Sequence, residues 1–227
     1  MSIATFNEIL VVARERKGGE AALAALIPPP PDPEALRVLP DDRALAILTR
    51  CVFRAGLPWD AVDRKWDGFE KVFLGFDPAR LAGADDRFWE EAAKNDAIIR
   101  NAPKVRAVRG NASYVLEAAA NHGGFGRYLR GWDSGRQDAL MAEMGERGSR
   151  LGPGTAQYAL RFLGWDGYVL SRDVVAALNR FGLDLGESPS SKRDLARVQA
   201  RMNEWRAQGG WSASQLSRLL AFSADAT

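Results

Sequence analysis

Apolar residues recur at steps of three and four along most of this 227-residue chain, and the every-second-residue pattern of strands is scarce. Such spacing lays one apolar stripe along a helix and leaves no sheet face to bury, so the fold class is expected to be all-α. Ile3, Phe6, Ile9, Leu10 and Ala13 start the pattern over 3–17, which ends in a basic turn and Gly18-Gly19. A short helix over about 19–27 follows, then the tract PPPPDP at 28–33, which should run as an extended connector or a proline-motif ligand. Asp41-Asp42 can open a helix through Leu45, Leu48 and Val52 that closes at Gly56. Pro58 sits just inside the next start, ahead of Trp59, Val62, Trp66, Phe69 and Phe73. Further helices fit 77–83, 86–95, 103–120, 134–146, 154–163, 172–181, 190–207 and 213–222, the last opened by Ser212 and Gln215 at capping-box spacing. The chain should therefore be a set of about ten short helices.

Composition closes off several chemistries. Hydrophobic residues make up 46% and charged residues 26%, the balance of a globular chain rather than a disordered one. One Cys and one His cannot build a disulfide framework or a four-ligand zinc site, and although carboxylate metal sites stay open, neither metal nor cofactor is expected. No apolar run is long enough for a membrane span, and Glu8 interrupts the first apolar stretch where a signal segment would need continuity. The chain reads as cytosolic and as a monomer. Lys and Arg total 31 against 29 acids, so any nucleic-acid contact must come from a local patch.

Three stretches carry more than packing. In RLGPGTAQYALRFLG (150–164) a Gly-Pro-Gly turn opens into a helix. Free N–H groups at Gly152, Gly154 and Thr155 could grip a phosphate there, although a plain helix corner has the same form. In SRDVV (171–175) Asp173 lies in a first turn behind Ser171, either as a dipole-stabilising acid or as a working carboxylate. Between Asp96 and Glu117 no acid occurs, while Arg100, Lys104, Arg106 and Arg109 do, which describes a solvated face or a phosphate-tracking one. Cys51 and His122 have no local support as a nucleophile–base pair.

In this order the three stretches resemble the helix-hairpin-helix DNA glycosylase superfamily, and more closely its bacterial constitutive 3-methyladenine branch. RAGLPWDAVDRKWDGFEKVFLGFDPARLA (54–82) is similar to that branch's A-G-L-S-W helix and F-D-P turn. NDAIIRNAPKVRAVRGNASYVLE (95–117) is similar to its I-I-R-x-x-x-K-I-x-A-x-x-x-N-A block, with Ile98, Ile99, Arg100, Lys104, Ala107, Asn111 and Ala112 in place. The resemblance covers roughly 44–182. It departs at the Glu that the branch places eight residues before its pocket Trp, where this chain has Cys51 before Trp59. The branch's zinc ligands and N-terminal Tyr/Trp segment also have no counterparts.

The resemblance implies a two-lobed helical fold, with 1–43 packing with 168–227 and with 44–167 as a central lobe ending in the hairpin. It implies a monofunctional base-excision glycosylase for alkylated purines such as 3-methyladenine, bound to double-stranded DNA carrying a damaged base and nucleoid-associated while bound. Asp173 takes the catalytic place, or Ser171 in another register. Trp59 and Cys51 line the base pocket, and Gly152, Gly154, Thr155, Arg100, Lys104 and Arg109 meet phosphates. Gly154 stands where lyase-competent members carry Lys. A non-catalytic lesion-recognition protein on the same scaffold is the alternative, and a helical interaction module using the proline tract is a third.

Overall fold

Fifteen α-helices and two 3-10 turns, with no strand, form among residues 4–224, the span that the computed structural model describes. In chain order they are α1 (Phe6–Lys17), α2 (Glu20–Leu26), α3 (Pro33–Arg37), α4 (Asp41–Arg54), α5 (Trp59–Asp63), α6 (Trp66–Val72), α7 (Pro78–Ala82) and α8 (Asp86–Lys94). Then come α9 (Ala102–His122), α10 (Phe125–Arg130), α11 (Gln137–Arg147), α12 (Pro153–Leu163), α13 (Arg172–Arg180), α14 (Lys192–Gly209) and α15 (Ala213–Ser223). The all-α expectation holds; Ile3, placed in the first stripe, lies outside the described residues. The chain divides into two compact units, one of residues 1–32, 133–139 and 165–227, the other of 33–132 and 140–164.

In the first unit α1, α13, α14 and α15 enclose a core built on Ile9, Tyr168, Leu178, Met202, Trp205 and Leu219. Polar groups inside it are matched. Buried Gln137 pairs with the Tyr168 backbone in both directions at 2.8 Å, and the Trp205 indole N–H donates to Ala4 O at 2.8 Å. The expected capping box at Ser212 and Gln215 forms, and Asp166 accepts from the N–H groups of Ala213 and Ser214 at the same helix start. Ser171 caps α13 through the Val174 N–H, which puts Asp173 in the exposed first turn.

In the second unit the 21-residue α9 is the central rod, with α4, α7, α8 and α10 packed around it. Its stripe of Val105, Val108, Asn111, Val115 and Ala118 is buried throughout. Asn111 is polar there because it closes a loop: its Oδ1 accepts from Ser149 N at 2.7 Å and its Nδ2 donates to Ser149 O at 3.2 Å.

Three local expectations need correction. The stripe from Trp59 to Phe73 is two helices, α5 and α6, broken at Arg64-Lys65 and followed by a 3-10 turn over Leu74–Phe76. The break lets α6 dock on the 96–98 loop, where Lys65 donates to the carbonyls of Asp96 and Ile98. It also brings Gly68 so close to Ala97 that a Cβ would stand 2.1 Å from the Ala97 oxygen. Pro33, assigned to the extended tract, is instead the first residue of α3, a position a proline tolerates well. A six-residue helix, α10, also forms at Phe125 directly after the Gly123-Gly124 end of α9, where no helix is expected, and the Phe125 N–H donates to Asp41 at 2.7 Å.

Candidate functional site

Helix α4 ends at Arg54 and the chain turns through Gly56 and Pro58 into Trp59. Helix α12 starts beside this turn with Gly152 as its N-cap and Pro153 inside its first turn. Pro lacks an N–H, and the Thr155 and Ala156 N–H groups both reach back to Gly152 O at 2.9 Å. The helix start thus presents its positive end to the space in front. A Cβ at Gly152 or Gly154 would meet nothing within 4 Å, so these glycines keep the backbone open rather than fit it against a neighbour.

Between the two elements lies a cleft of about 450 Å³, lined by Cys51, Trp59, Gly152, Gly154 and Thr155 together with Arg54, Tyr158 and Phe162. The structure therefore brings together five residues predicted from separate parts of the sequence. Trp59 and Phe162 remain 43% exposed, unusual for rings of their size unless they wait for a partner. Trp59 meets Tyr158 edge-on at 5.5 Å and Phe162 at 5.9 Å. Arg54 lies over the Trp59 ring at 4.7 Å and over Phe162 at 5.6 Å, and its Nη2 donates to both oxygens of Asp63 at 2.7 and 2.6 Å. Cys51 is buried, and desolvation pushes its thiol up to about 12 against the pull of Arg54 and Arg50, so it is neutral and no thiolate nucleophile.

The other predicted residues lie elsewhere. Lys104 leaves the phosphate-binding set. It is buried, and its ammonium donates to Phe53 O at 3.0 Å and Ala55 O at 2.6 Å, closing the carbonyl end of α4. Burial and then nearby Arg150 hold its pKa below the ordinary lysine value. Arg100 is exposed ahead of α9. Arg109 is half-exposed and paired with Asp86 at 2.7 Å. Asp173 belongs to the first unit. His122 ends α9, with its ring bonded to Ala118 O at 2.9 Å and packed on Tyr128. Among the described residues no group of three or more His, Cys, Asp or Glu is placed to hold a metal, and no helix is long and apolar enough to cross a membrane.

Sequence reasoning missed Arg54, Tyr158 and Phe162. Tyr158 and Phe162 are one helical turn apart on α12, a pair that spacing alone assigns to the core.

Residues 37–147, just under half of the chain, match the methyladenine glycosylase family. The match ends before the glycine turn and before Asp173. DNA-3-methyladenine glycosylase 1 of Escherichia coli strain K12 is 32% identical over 68 residues, covering 30% of this chain and 36% of that protein. The chain thus matches little more than a third of that relative's length. The structure of 3-methyladenine DNA glycosylase I from Staphylococcus aureus superposes with a TM-score of 0.50 at 20% identity, covering 57% of this chain and 80% of that one, which establishes a shared fold. Another 3-methyladenine DNA glycosylase I structure gives 0.48 at 23% identity, over 55% and 79%.

Proposed function

We propose that this protein is a monofunctional DNA glycosylase that hydrolyses the N-glycosidic bond of alkylated purines flipped out of duplex DNA. One observation carries the reading: the glycine turn that opens α12 and the exposed Trp59 ring converge on a single cleft. A base leaving the stack needs an aromatic face, and the strand beside it needs a phosphate anchor. Trp59 supplies the first, with Tyr158 and Phe162 as walls. Gly152, Gly154 and the Thr155 hydroxyl supply the second, the Thr155 N–H being taken by Gly152 O rather than free as expected, with Arg100 and Arg109 as further phosphate contacts.

Cleavage breaks the C1′–N9 bond, sends its electron pair to the purine and leaves cationic character on the sugar. Water then bonds to C1′, and its released proton balances the departed base. Asp173 is the carboxylate assigned to stabilise the sugar cation or orient that water. Gly154, in the position before Thr155, offers no amine to form a Schiff base, which supports hydrolysis over strand cleavage.

The test is base release from a methylated duplex under single turnover. Asp173→Asn should slow it about a hundredfold, about 3 kcal/mol, with folding intact by circular dichroism and duplex affinity little changed. Equal rates would reduce Asp173 to a helix-start acid. A second reading, lesion recognition without cutting, is favoured by the neutral Cys51 at the position where the resembling branch has a Glu. Absence of release by the wild type from any alkylated duplex would select it.

A further inference from the structure

A planar cation already sits on the aromatic face of the cleft. The guanidinium of Arg54, the last residue of α4, lies 4.7 Å over the Trp59 ring and 5.6 Å over Phe162. Its counter-ion is Asp63, one helical turn beyond Trp59 on α5 and so on the same face as that ring. The pairing is end-on. Among the described residues Nη2 alone is engaged, donating to both Asp63 oxygens at 2.7 and 2.6 Å, while the buried Nε has no hydrogen-bond partner. A fork of donors held through one nitrogen is a partial match for a guanidinium. Asp63 does not depend on it. Arg50 Nε lies 3.3 Å from the same carboxylate, and the Arg50 guanidinium lies over the Trp66 ring at 4.1 Å, so Asp63 keeps its place when Arg54 moves.

We infer that Arg54 holds the place of a cationic alkylated base, and that Asp63 is the specificity-determining carboxylate that takes this base when Arg54 gives way. The inference rests on the reading of the cleft as the base-holding site. An adenine methylated at N3 is, while still joined to its sugar, a planar cation with N–H donors on its exocyclic amine. Ring and carboxylate meet it as they meet the guanidinium. The exchange conserves ion pairs. The base takes Asp63, and Arg54, which lines the cleft together with the start of α12, turns to a phosphate of the strand. No charge is left buried without a partner. An unmodified purine is uncharged, so it would break the Arg54–Asp63 pair and form no ion pair with the carboxylate in its stead. Undamaged bases are refused by that difference. Asp63 thus acts on recognition and not on bond cleavage. Once the glycosidic electron pair moves to the purine the base is neutral, and Arg54 can reclaim Asp63 as the product leaves.

The experiment titrates the protein with two free bases of one shape. One is 3,9-dimethyladeninium, a fixed cation; the other is its 3-deaza analogue, in which carbon replaces the methylated nitrogen and which is uncharged at mildly alkaline pH. Wild type should bind the cation at least about tenfold more tightly. Asp63→Asn should bring that ratio near one. Arg54→Gln, which vacates the ring, should tighten the cation at least about threefold, whereas Arg54→Lys, which leaves a cation on Asp63, should not. The opposite signs matter, because both variants break one salt bridge and a merely structural pair would answer alike. Weaker or unchanged binding of the cation by Arg54→Gln, or no preference for the cation in wild type, overturns the exchange, and the base-holding reading stands if Trp59→Ala abolishes binding. Absence of binding of either compound at millimolar concentration, or binding indifferent to Trp59→Ala, overturns both. Melting temperatures of the variants separate lost selectivity from lost fold.

Discussion

Replacing Lys104 separates its structural role from the phosphate contact expected of its sequence position. Lys104→Ala removes the donor from two carbonyls. Ala55 is exposed, so water can take over at its oxygen, but Phe53 is buried and its oxygen would be left bare at about 1–3 kcal/mol. Losing three methylenes adds about 2 kcal/mol at ~0.8 kcal/mol each. Relief of the ammonium's desolvation, the main cause of its lowered pKa, returns part of this. The net expectation is a loss of about 2–4 kcal/mol, seen as a lower urea midpoint at unchanged slope. Lys104→Met keeps the stem and should lose only the hydrogen-bond share, about 1–2 kcal/mol. In duplex binding, log affinity against log salt should keep its wild-type slope in Lys104→Met, whereas Arg100→Ala should flatten it by about 0.9 if Arg100 neutralises one phosphate. Full stability of Lys104→Ala together with a flattened slope would refute this reasoning, since the lysine would then be reaching DNA.

Two further outcomes follow from buried groups and from close backbone approaches. Burial raises the phenols of Tyr114 and Tyr168 and pushes Tyr128 up to about 12, so the unfolded chain ionises first, near 10. Stability should be complete below pH 10 and fall as pH rises through the folded values, by on the order of 1.4 kcal/mol per pH unit for each tyrosine, with Lys104 opposing weakly because its pKa is shifted down. Urea titrations at pH 9, 10 and 11 measure this, and a flat profile would contradict it. Gly68→Ala should destabilise by about 1–3 kcal/mol because its Cβ would strike the Ala97 backbone, while Gly152→Ala should fold normally yet weaken duplex binding. Equal stability losses in a melting comparison would refute the contrast.

The helices that could be read directly were those whose ends are chemically marked. Helix α9 closes on Gly123 with positive φ, α13 opens on Ser171, and α15 opens on its capping box. Each signal is local, so it survives without knowledge of neighbours. Helices α3 and α10 carry five and six residues, too few for periodicity to register, and they exist through tertiary contacts. Gly126 of α10 lies against the Leu36 carbonyl of α3, where a Cβ would stand 2.0 Å away, a meeting that no sequence window contains. The break between α5 and α6 has the same origin, since an unbroken aromatic stripe gives no hint of the 96–98 loop pressed against it.

The site divides along a different line. Trp59 and the glycine turn were legible because each departs from what packing alone would choose: a large ring beside a proline, and two glycines where no neighbour requires them. Lys104 was misjudged by residue type, although its register held the answer. Positions 104, 108, 111, 115 and 118 follow steps of three and four, and all five are buried. The basic residues of α9 that face outward are Arg106 and Arg109, which fall off this stripe. Arg54 could not have been found the same way. It closes an amphipathic helix as a basic last-turn residue, a common place for an arginine, and nothing in α4 announces an aromatic partner. Its significance arises from Trp59, five residues on, and Phe162, more than a hundred residues on, both beneath one guanidinium. Periodicity fixes which face of a helix a charge occupies. The charge of a cleft depends on which faces meet, so the residue that most sets this cleft's electrostatics became visible only once the fold was in hand.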